Sequence, residues 1–312
     1  MSKNLDSGVE YLQLPIRSVS VVVPCKNEED AIQLTIQGIK NALDSASVEY
    51  EIIIVDDGSN DGTRQKAIDA GVRVLVHEIN MGYGNSIMNG IKIAKYPVIA
   101  MLDADGTYDP AELPKMLEAL SRHDMVIGVR KWTPDNTSLT GRFFRTALYY
   151  TILFLSGVKA PDFNSGLRVF HKKNILDYRS VICPTFSFTT TLTVLFLQAN
   201  HSVNFMPIEY SQRIGRSKVN YIKDAIKTFN YVFSITSILR PYRINMFFII
   251  SAVLMNGFVM ISSLFSPFIQ SIQLGLHTII SVPLLIASLS LSAYVNTRIY
   301  HYHLNKKTSD DM

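Results

Sequence analysis

Short apolar runs rich in β-branched residues alternate with helical segments in the first part of the chain, and this alternation leaves few folds open. The runs cover residues 18–23, 51–55, 72–77, 98–102 and 125–128. Strands alternating with helices predict a mostly parallel sheet with crossover helices. Strands that are apolar throughout suit a sheet covered on both faces. We therefore predict an α/β fold with a Rossmann-like, mostly parallel sheet and flanking helices.

Acidic residues follow three of these runs at their carboxyl ends. They are Glu28 and Glu29, Asp56 and Asp57, and Asp103 and Asp105. Open α/β sheets bind ligands at the carboxyl ends of their strands. Mg²⁺ and Mn²⁺ prefer oxygen ligands, and Mg²⁺ commonly joins protein carboxylates to substrate phosphates. We therefore predict a divalent cation at Asp103 and Asp105, and a nucleotide contact at Asp57.

Two uncharged apolar runs, residues 246–266 and 274–295, occupy the C-terminal part of the chain. Each has about the 20 residues that a helix needs to cross a membrane. Basic residues flank the pair: Arg240 and Arg243 precede it, and Arg298, Lys306 and Lys307 follow it. By the positive-inside bias both chain ends are predicted to be cytoplasmic. The alternative is a pair of buried core helices in a soluble protein.

Two other segments have more than one interpretation. Residues 219–239 mix lysines with apolar and aromatic residues, which predicts a helix lying in the membrane interface. A solvent-exposed amphipathic helix packed on the domain is the alternative. Residues 147–155 are rich in aromatic and aliphatic side chains, and they fit equally a lipid contact or a core helix.

Charge and small residues bear on partners. Lys and Arg number 30 against 26 Asp and Glu, and no block of like charge suggests a nucleic-acid tail. We expect no nucleic-acid partner.

Small residues in the apolar runs allow close helix packing, which makes a homo-oligomer compatible with the sequence. These residues are Ser251, Ala252, Gly257, Ser288 and Ser292.

Motifs within the chain resemble those of a known enzyme family. VVVPCKNEE, IIIVDDGSNDGT, NMGYGNSIMNGIKIA and MLDADGTYDP occur in this order, and they are similar to family 2 glycosyltransferases with the GT-A fold. Two later stretches, FNSGLR at 163–168 and RIGRSK at 213–218, resemble a narrower branch. That branch contains the dolichol-phosphate mannosyltransferases and the bacterial polyprenyl-phosphate glycosyltransferases. The similarity covers residues 18–220.

The resemblance implies roles for individual residues. It implies that the donor's base and ribose are bound by Pro24, Lys26, Glu28, Val55 and Asp57, and its diphosphate and metal by Asp103, Ala104 and Asp105. It implies an acceptor-phosphate site at Arg130 and Arg168, with a further arginine at Arg142 or Arg145. It places Arg213 and Lys218 on a mobile loop over the diphosphate. The implied catalytic set is Asp105, Arg130, Arg168, Arg213 and Lys218.

One position departs from the family pattern. Family members often have Gln two residues after the second Asp of the acidic motif, and this chain has Thr107. A hydroxyl is a weaker metal ligand than an amide carbonyl. The role of Thr107 as the third ligand of Mg²⁺ or Mn²⁺ is therefore open.

The acceptor follows from chemistry as well as from resemblance. The chain lacks the QxxRW sequence of processive synthases and the Glu-Asp pair of inverting enzymes that use hydroxyl acceptors. A hydroxyl acceptor needs a general base, whereas a phosphate monoester is already ionised at neutral pH. We expect inverting sugar transfer from a nucleoside-diphosphate sugar to a polyprenyl phosphate. Two alternatives stay open: a family 2 transferase acting on a hydroxyl of a glycolipid or glycan, and a non-catalytic membrane scaffold.

The expected organisation follows from these segments. We expect an N-terminal extension at 1–17, a GT-A catalytic domain at 18–218 and amphipathic juxtamembrane helices at 219–243. Two transmembrane helices at 244–297 and a cytoplasmic tail at 298–312 follow. We therefore expect a multi-pass membrane protein with its catalytic domain and both termini in the cytoplasm.

Overall fold

The computed structural model describes residues 16–131, 139–176, 178, 182–185, 187–213, 221–265, 286 and 290. The chain forms two compact units. The first contains the β-sheet and the helices next to it in sequence, and the second is helical. The linear domain boundaries expected from the sequence stay a prediction.

The described strands of the first unit form one sheet in the order β3-β2-β1-β4-β6-β5-β7. The strands are β1 Ser18–Cys25, β2 Glu49–Asp56, β3 Arg73–Val76, β4 Val98–Met101, β5 Met125–Arg130, β6 Arg168–His171 and β7 Val203–Ile208. Every pairing is parallel except those of β6, which runs antiparallel to both β4 and β5. The predicted mostly parallel α/β sheet is confirmed, and β6 makes it a mixed sheet.

The central strands β1 and β2 are covered on both faces. In β1 every residue after Ser18 is buried, and in β2 the residues from Ile52 onward are buried. Apolar runs without alternation are what a doubly covered strand requires. Pro24 pairs with Val55, and Cys25 pairs with Asp56, so both strands end at the same edge of the sheet.

Strands β6 and β7 are absent from the sequence prediction. β6 is four residues long and begins with Arg168, a residue that the motifs assigned to ligand binding. β7 contains Pro207, and proline inside a run normally excludes it from a sheet or limits it to an edge. β7 lies at the edge of the sheet, where the missing N–H is tolerated.

Helices connect the strands of the first unit. They are α1 Ile32–Ser45, α2 Thr63–Asp69, α3 Tyr83–Ile93, α4 Leu113–Leu120 and α6 Lys173–Leu176, with a short 3₁₀ turn at Pro110–Glu112. α1 buries Ile32, Ile36, Ile39 and Leu43. This spacing places one apolar stripe on the side of the helix that faces the core.

The second unit is built from α5 Leu139–Ser156, α8 Tyr221–Leu239, α9 Pro241–Phe265 and most of α7 Phe188–Gln198. A buried amide connects three of these helices. Gln198 Nε2 donates to the Ser156 carbonyl at 3.0 Å and to Thr236 Oγ1 at 2.9 Å. α5 buries Ile152, while Tyr150 and Phe154 are each 62% exposed. One face of the 147–155 segment is therefore packed and the other is open.

The apolar C-terminal part is described only as far as α9, apart from two later residues. None of the described helices has by itself the length and hydropathy of a membrane span; Asp224–Leu239 and Pro241–Leu254 meet that test only as a pair bent by 112°. α8 covers the predicted interfacial helix, and α9 covers nearly all of the first predicted span. The second predicted span lies outside the described residues except for Ile286 and Ser290. The two-helix hairpin is not confirmed.

Candidate active site

Three loops meet at one edge of the sheet because β2, β1 and β4 are parallel neighbours. They comprise residues 26–28, 57–60 and 103–105. The first two are joined directly. Asn27 N donates to Ser59 Oγ at 2.9 Å, and Asn60 N donates to Asn27 Oδ1 at 2.8 Å. The acidic loops after β1 and β2 therefore form one connected wall of the candidate site.

The Asp57 carboxylate is bound by protein donors. It accepts hydrogen bonds from the Met81 N–H at 2.7 Å, the Gly82 N–H at 2.9 Å and His77 Nδ1 at 2.9 Å. Its side chain is 8% exposed. In the structure Asp57 anchors the loop that precedes α3, and its contact with a nucleotide stays a prediction.

Asp103 and Asp105 lie just beyond β4 and have different partners. The Tyr83 hydroxyl donates to Asp103 Oδ1 at 2.7 Å. Asp105 Oδ1 accepts from the Thr107 N–H at 3.1 Å and from the Thr107 hydroxyl at 2.6 Å. Burial and the neighbouring Asp105 carboxylate raise the pKa of Asp103 to about 6, against the opposing effect of the Tyr83 hydrogen bond. Asp103 and Asp105 thus place two carboxylates close together in a largely buried environment.

This pair fits the metal that the motifs imply. Burial and the Asp105 carboxylate both raise the pKa of Asp103, and a divalent cation would offset the repulsion between the two carboxylates. Hard carboxylate oxygens suit Mg²⁺ and Mn²⁺. Among the described residues no three His, Cys, Asp or Glu side chains form a metal cluster. Asp103 and Asp105 would therefore hold the ion with waters completing its coordination shell, and substrate phosphates would replace some of those waters when the donor is bound. The Thr107 hydroxyl donates a hydrogen bond to Asp105 and so orients that carboxylate.

Arg213 is brought to the acidic pair by the segment after β7. Ser211 N donates to the Thr107 carbonyl at 2.9 Å, which joins this segment to the loop after β4. Arg213 Nη2 then contacts Glu28 Oε1 at 2.6 Å, and Nη1 lies 3.4 Å from Asp105 Oδ2. The structure therefore brings together Glu28, Asp105 and Arg213 from three separate stretches of sequence.

Arg130, at the end of β5, is paired with Asp162. Nε and Nη2 donate to the two carboxylate oxygens at 2.7 and 2.9 Å, and the guanidinium carbon lies 5.3 Å from the Tyr210 ring centroid. Burial alone would raise the pKa of Asp162, but the hydrogen bonds from Arg130 outweigh it and lower that pKa. This bidentate pair holds the guanidinium plane in one orientation. Within the described part of the chain, the other N–H donors of Arg130 have no hydrogen-bond acceptor, which leaves them for a second one.

Arg168 is in a different environment from the other predicted phosphate ligands. Its side chain is fully buried, and it donates to the carbonyls of Ser165 at 2.8 Å and Phe163 at 2.9 Å. Burial lowers its pKa to about 10, so the guanidinium remains charged at neutral pH. These contacts fix the 163–165 loop, and a direct contact of Arg168 with the acceptor phosphate stays a prediction.

The remaining predicted residues fall into two groups. Pro24, Val55 and Ala104 are buried at the strand ends, and Lys26 is partly exposed beside them. Lys218 lies outside the described residues, and so do the side chains of Arg142 and Arg145. The structure does not test the roles of this second group.

Three residues of the site were missed by sequence reasoning. Tyr83 and Gly166 lie inside motifs named in the sequence analysis, but neither motif predicts that these residues contact Asp103. A Cβ on Gly166 would lie 2.5 Å from Asp103 Oδ2, so the backbone closely approaches that oxygen. Asp162 directly precedes a motif, and only the antiparallel strand β6 brings it to Arg130.

Comparison with known proteins places these observations in context. The family model described as glycosyl transferase family 2 matches residues 20–179. The undecaprenyl-phosphate 4-deoxy-4-formamido-L-arabinose transferase of Aeromonas hydrophila is 30% identical over 203 residues, which are 60% of this chain and 60% of that protein. The undecaprenyl-phosphate mannosyltransferase of Micrococcus luteus is 26% identical over 221 residues, 65% of this chain and 87% of that protein. The chain therefore spans 60% of the length of the Aeromonas protein.

A solved structure shares the architecture. Glucosyl-3-phosphoglycerate synthase from Mycobacterium tuberculosis, crystallised with Mn²⁺, uridine diphosphate and glucosyl-3-phosphoglycerate, aligns with a TM-score of 0.54. It is 19% identical in sequence, and the alignment covers 70% of this chain and 80% of that chain. At this identity the likeness shows the fold alone. It agrees with the GT-A-like arrangement expected from the motifs.

Proposed function

Because the chain belongs to glycosyl transferase family 2, we propose that it transfers a sugar from a nucleoside-diphosphate sugar to a polyprenyl phosphate. The protein is a glycosyltransferase. One observation supports the acceptor most strongly: both relatives described above have undecaprenyl phosphate in their names. The product would be a polyprenyl-phosphate-linked monosaccharide with inverted anomeric configuration.

The donor side of the reaction is assigned to the three joined loops. Pro24, Lys26, Glu28, Val55 and Asp57 would surround the base and ribose, with Ala104 beside the diphosphate. Asp103 and Asp105 would hold Mg²⁺ or Mn²⁺, which neutralises charge on a diphosphate leaving group. Arg213 already contacts Asp105, so its guanidinium is close enough to stabilise the charge that develops on the departing diphosphate. Lys218, five residues further along, would join it.

The acceptor side is assigned to Arg130. Its free N–H donors suit a phosphate oxygen, and Arg142 or Arg145 would add a second cation. A lowered pKa makes Asp162 a weak base, which suits an acceptor that has no proton to lose. Positioning two charged reactants in line would then supply most of the rate enhancement. Arg168 would contribute by holding the loop that begins beside Asp162.

The helical unit is assigned to the membrane. α9 exposes a series of large apolar side chains: Met246, Ile249, Ile250, Val253, Leu254, Phe258 and Ile261. Contiguous exposed apolar surface of this kind marks an interaction face, and a polyprenyl tail leaves a bilayer at a cost of about 0.8 kcal/mol per exposed CH₂. We propose that residues 244–297 form the transmembrane hairpin with the catalytic unit and both termini in the cytoplasm. Homo-oligomers through the small residues of the spans fit this arrangement.

The test is a screen of nucleotide-sugars with the purified full chain in detergent. Release of nucleoside diphosphate is measured with undecaprenyl phosphate, with diacylglycerol and with no acceptor. We expect one nucleotide-sugar to give release that depends on undecaprenyl phosphate and on Mg²⁺ or Mn²⁺. Asp105→Ala should abolish that release.

Two results would refute this assignment. Release that depends on diacylglycerol and not on undecaprenyl phosphate would make the protein a transferase with a hydroxyl acceptor. Near-normal turnover by Asp105→Ala would show that the acidic pair is not the metal site. Arg73→Ala serves as a matched control, since Arg73 forms an exposed ion pair with Glu51 away from the joined loops.

A further inference from the structure

The loop before α3 is fixed to the end of β2 by one carboxylate. Asp57 accepts hydrogen bonds from both the Met81 and Gly82 N–H groups. Gly82 has a φ of 96°, a backbone conformation that residues other than glycine rarely adopt. Two hydrogen bonds to an ionised acceptor are among the stronger contacts in proteins. The chain therefore enters α3 in a defined direction.

The Asp57 carboxylate is itself held by a buried histidine, His77. Asn89 Oδ1 accepts from Lys92 Nζ at 3.2 Å, which turns the amide nitrogen toward His77 Nε2 at 3.1 Å. Since an amide nitrogen only donates, Nε2 of His77 accepts and Nδ1 carries the proton. His77 then donates to Asp57 through Nδ1.

The first turn of α3 is fixed from a second side. Asn85 N donates to the Pro184 carbonyl at 2.8 Å. Tyr83, the first residue of α3, thus has an anchored backbone on each side. These contacts fix the backbone position of Tyr83, from which its hydroxyl reaches the loop after β4.

That hydroxyl reaches Asp103 and not Asp105. It donates to Asp103 Oδ1 at 2.7 Å, while the backbone at Gly166 approaches Oδ2 closely. Asp105 is oriented by a separate partner, Thr107. Different side chains therefore orient the two carboxylates. Asp103 is oriented by Tyr83, which follows the loop that Asp57 anchors at the end of β2.

We propose that Tyr83 is a positioning residue that holds the Asp103 carboxylate ready for the divalent cation. This inference rests on the metal site within the proposed function. A tyrosine hydroxyl ionises only at about pH 10, so Tyr83 is a hydrogen-bond donor to Asp103 at neutral pH. Partners that orient metal-binding carboxylates are part of such sites, and losing one typically weakens metal binding by about 10- to 100-fold.

The test is the affinity of the full chain for Mn²⁺ alone, measured from the electron paramagnetic resonance signal of free Mn²⁺. Tyr83→Phe keeps the ring and removes only the donor. We expect its dissociation constant for Mn²⁺ to rise roughly tenfold. In the transfer assay, its half-saturating Mn²⁺ concentration should rise similarly, while kcat at saturating Mn²⁺ stays within about threefold of the wild-type value.

Tyr96→Phe is the matched control. The Tyr96 hydroxyl donates to Glu49 Oε1 at 2.7 Å, a bond of the same type and length beside the amino end of β4. Its loss should leave Mn²⁺ affinity within about twofold of the wild-type value. Asp105→Ala identifies the site, because it should abolish specific Mn²⁺ binding.

Three outcomes would overturn the proposal. They are unchanged Mn²⁺ affinity in Tyr83→Phe, no specific Mn²⁺ binding by the wild type, and a kcat that stays low at saturating Mn²⁺. The last outcome would assign Tyr83 to the reacting sugar instead of the metal. Since no lipid enters the binding measurement, an incorrect acceptor would not affect it.

Discussion

The aspartates at the carboxyl edge of the sheet differ in what contacts them. Asp57 accepts backbone N–H groups, Asp162 forms a bidentate pair with Arg130, and Asp103 and Asp105 lie close enough for one to raise the pKa of the other. In the sequence these residues are alike, since each lies next to a strand or motif. The sequence singled out Asp103 and Asp105 for a cation, but the partners of Asp57 and Asp162 come from tertiary contacts that no motif indicates.

Arg213 is expected to compete with the metal for the Asp105 carboxylate when no nucleotide is bound, because its guanidinium forms ion pairs with Asp105 and Glu28. In Arg213→Ala, Mn²⁺ alone should bind at least roughly threefold more tightly, since removing a partly exposed ion pair changes binding by this order. Sugar transfer should nevertheless fall about 100-fold, because a cation that stabilises the leaving group is lost. Mn²⁺ titration and initial-rate assays measure the two effects.

The opposite signs are what make this prediction specific. Arg73→Ala, which removes an exposed arginine from another part of the sheet, should change neither quantity. Weaker Mn²⁺ binding in Arg213→Ala would contradict the competition and would make Arg213 a simple structural support of the loop.

Gly166 is predicted to be intolerant of a side chain. A methyl group there would lie 2.5 Å from Asp103 Oδ2, so Gly166→Ala must move the carboxylate. A displacement of about 1 Å in a positioned group costs on the order of 100-fold in rate, and we expect kcat/KM to fall by roughly that factor. Gly257→Ala is the control, because among the described residues its Cβ would meet nothing within 4 Å. Equal activity of the two variants would contradict the contact.

At the scale of secondary structure, the sequence predicts what local pattern determines. The strands on the β3 to β4 side of the sheet and β5 have long β-branched runs or clear polar ends, and they were predicted close to their observed positions. β6 is short and begins with a buried arginine, and β7 includes Pro207. Both are stabilised by pairing with β5, a long-range contact that no local pattern announces.

The loop before α3 provides a test at the same scale. Asp57→Asn keeps the shape of the side chain but removes the negative charge of the carboxylate, which accepts hydrogen bonds from two backbone N–H groups and from His77. Hydrogen bonds to charged groups contribute about 1.5–3 kcal/mol each, and we expect the free energy of unfolding to fall by about 3 kcal/mol. Denaturant unfolding followed by circular dichroism measures it. A loss below about 0.5 kcal/mol would show that the loop does not depend on Asp57.

At the scale of the whole molecule, each compact unit has its own chemistry. The sheet unit places acidic and basic groups on joined loops, which suits a metal-bound nucleotide and a charged acceptor. The helical unit exposes the apolar face of α9, which suits lipid. A polyprenyl phosphate combines these two requirements in one substrate, an ionised headgroup and a tail that stays in the bilayer.

The most direct measurement compares undecaprenyl phosphate with undecaprenol as acceptors, using mass spectrometry to identify the product. The two lipids share a tail and differ in the headgroup: one has an ionised phosphate, and the other has a hydroxyl that must lose a proton to attack. Our account predicts a product whose mass equals undecaprenyl phosphate plus one sugar residue, formed by the wild type and not by Asp105→Ala. Glycosylation of undecaprenol at a comparable rate would contradict it.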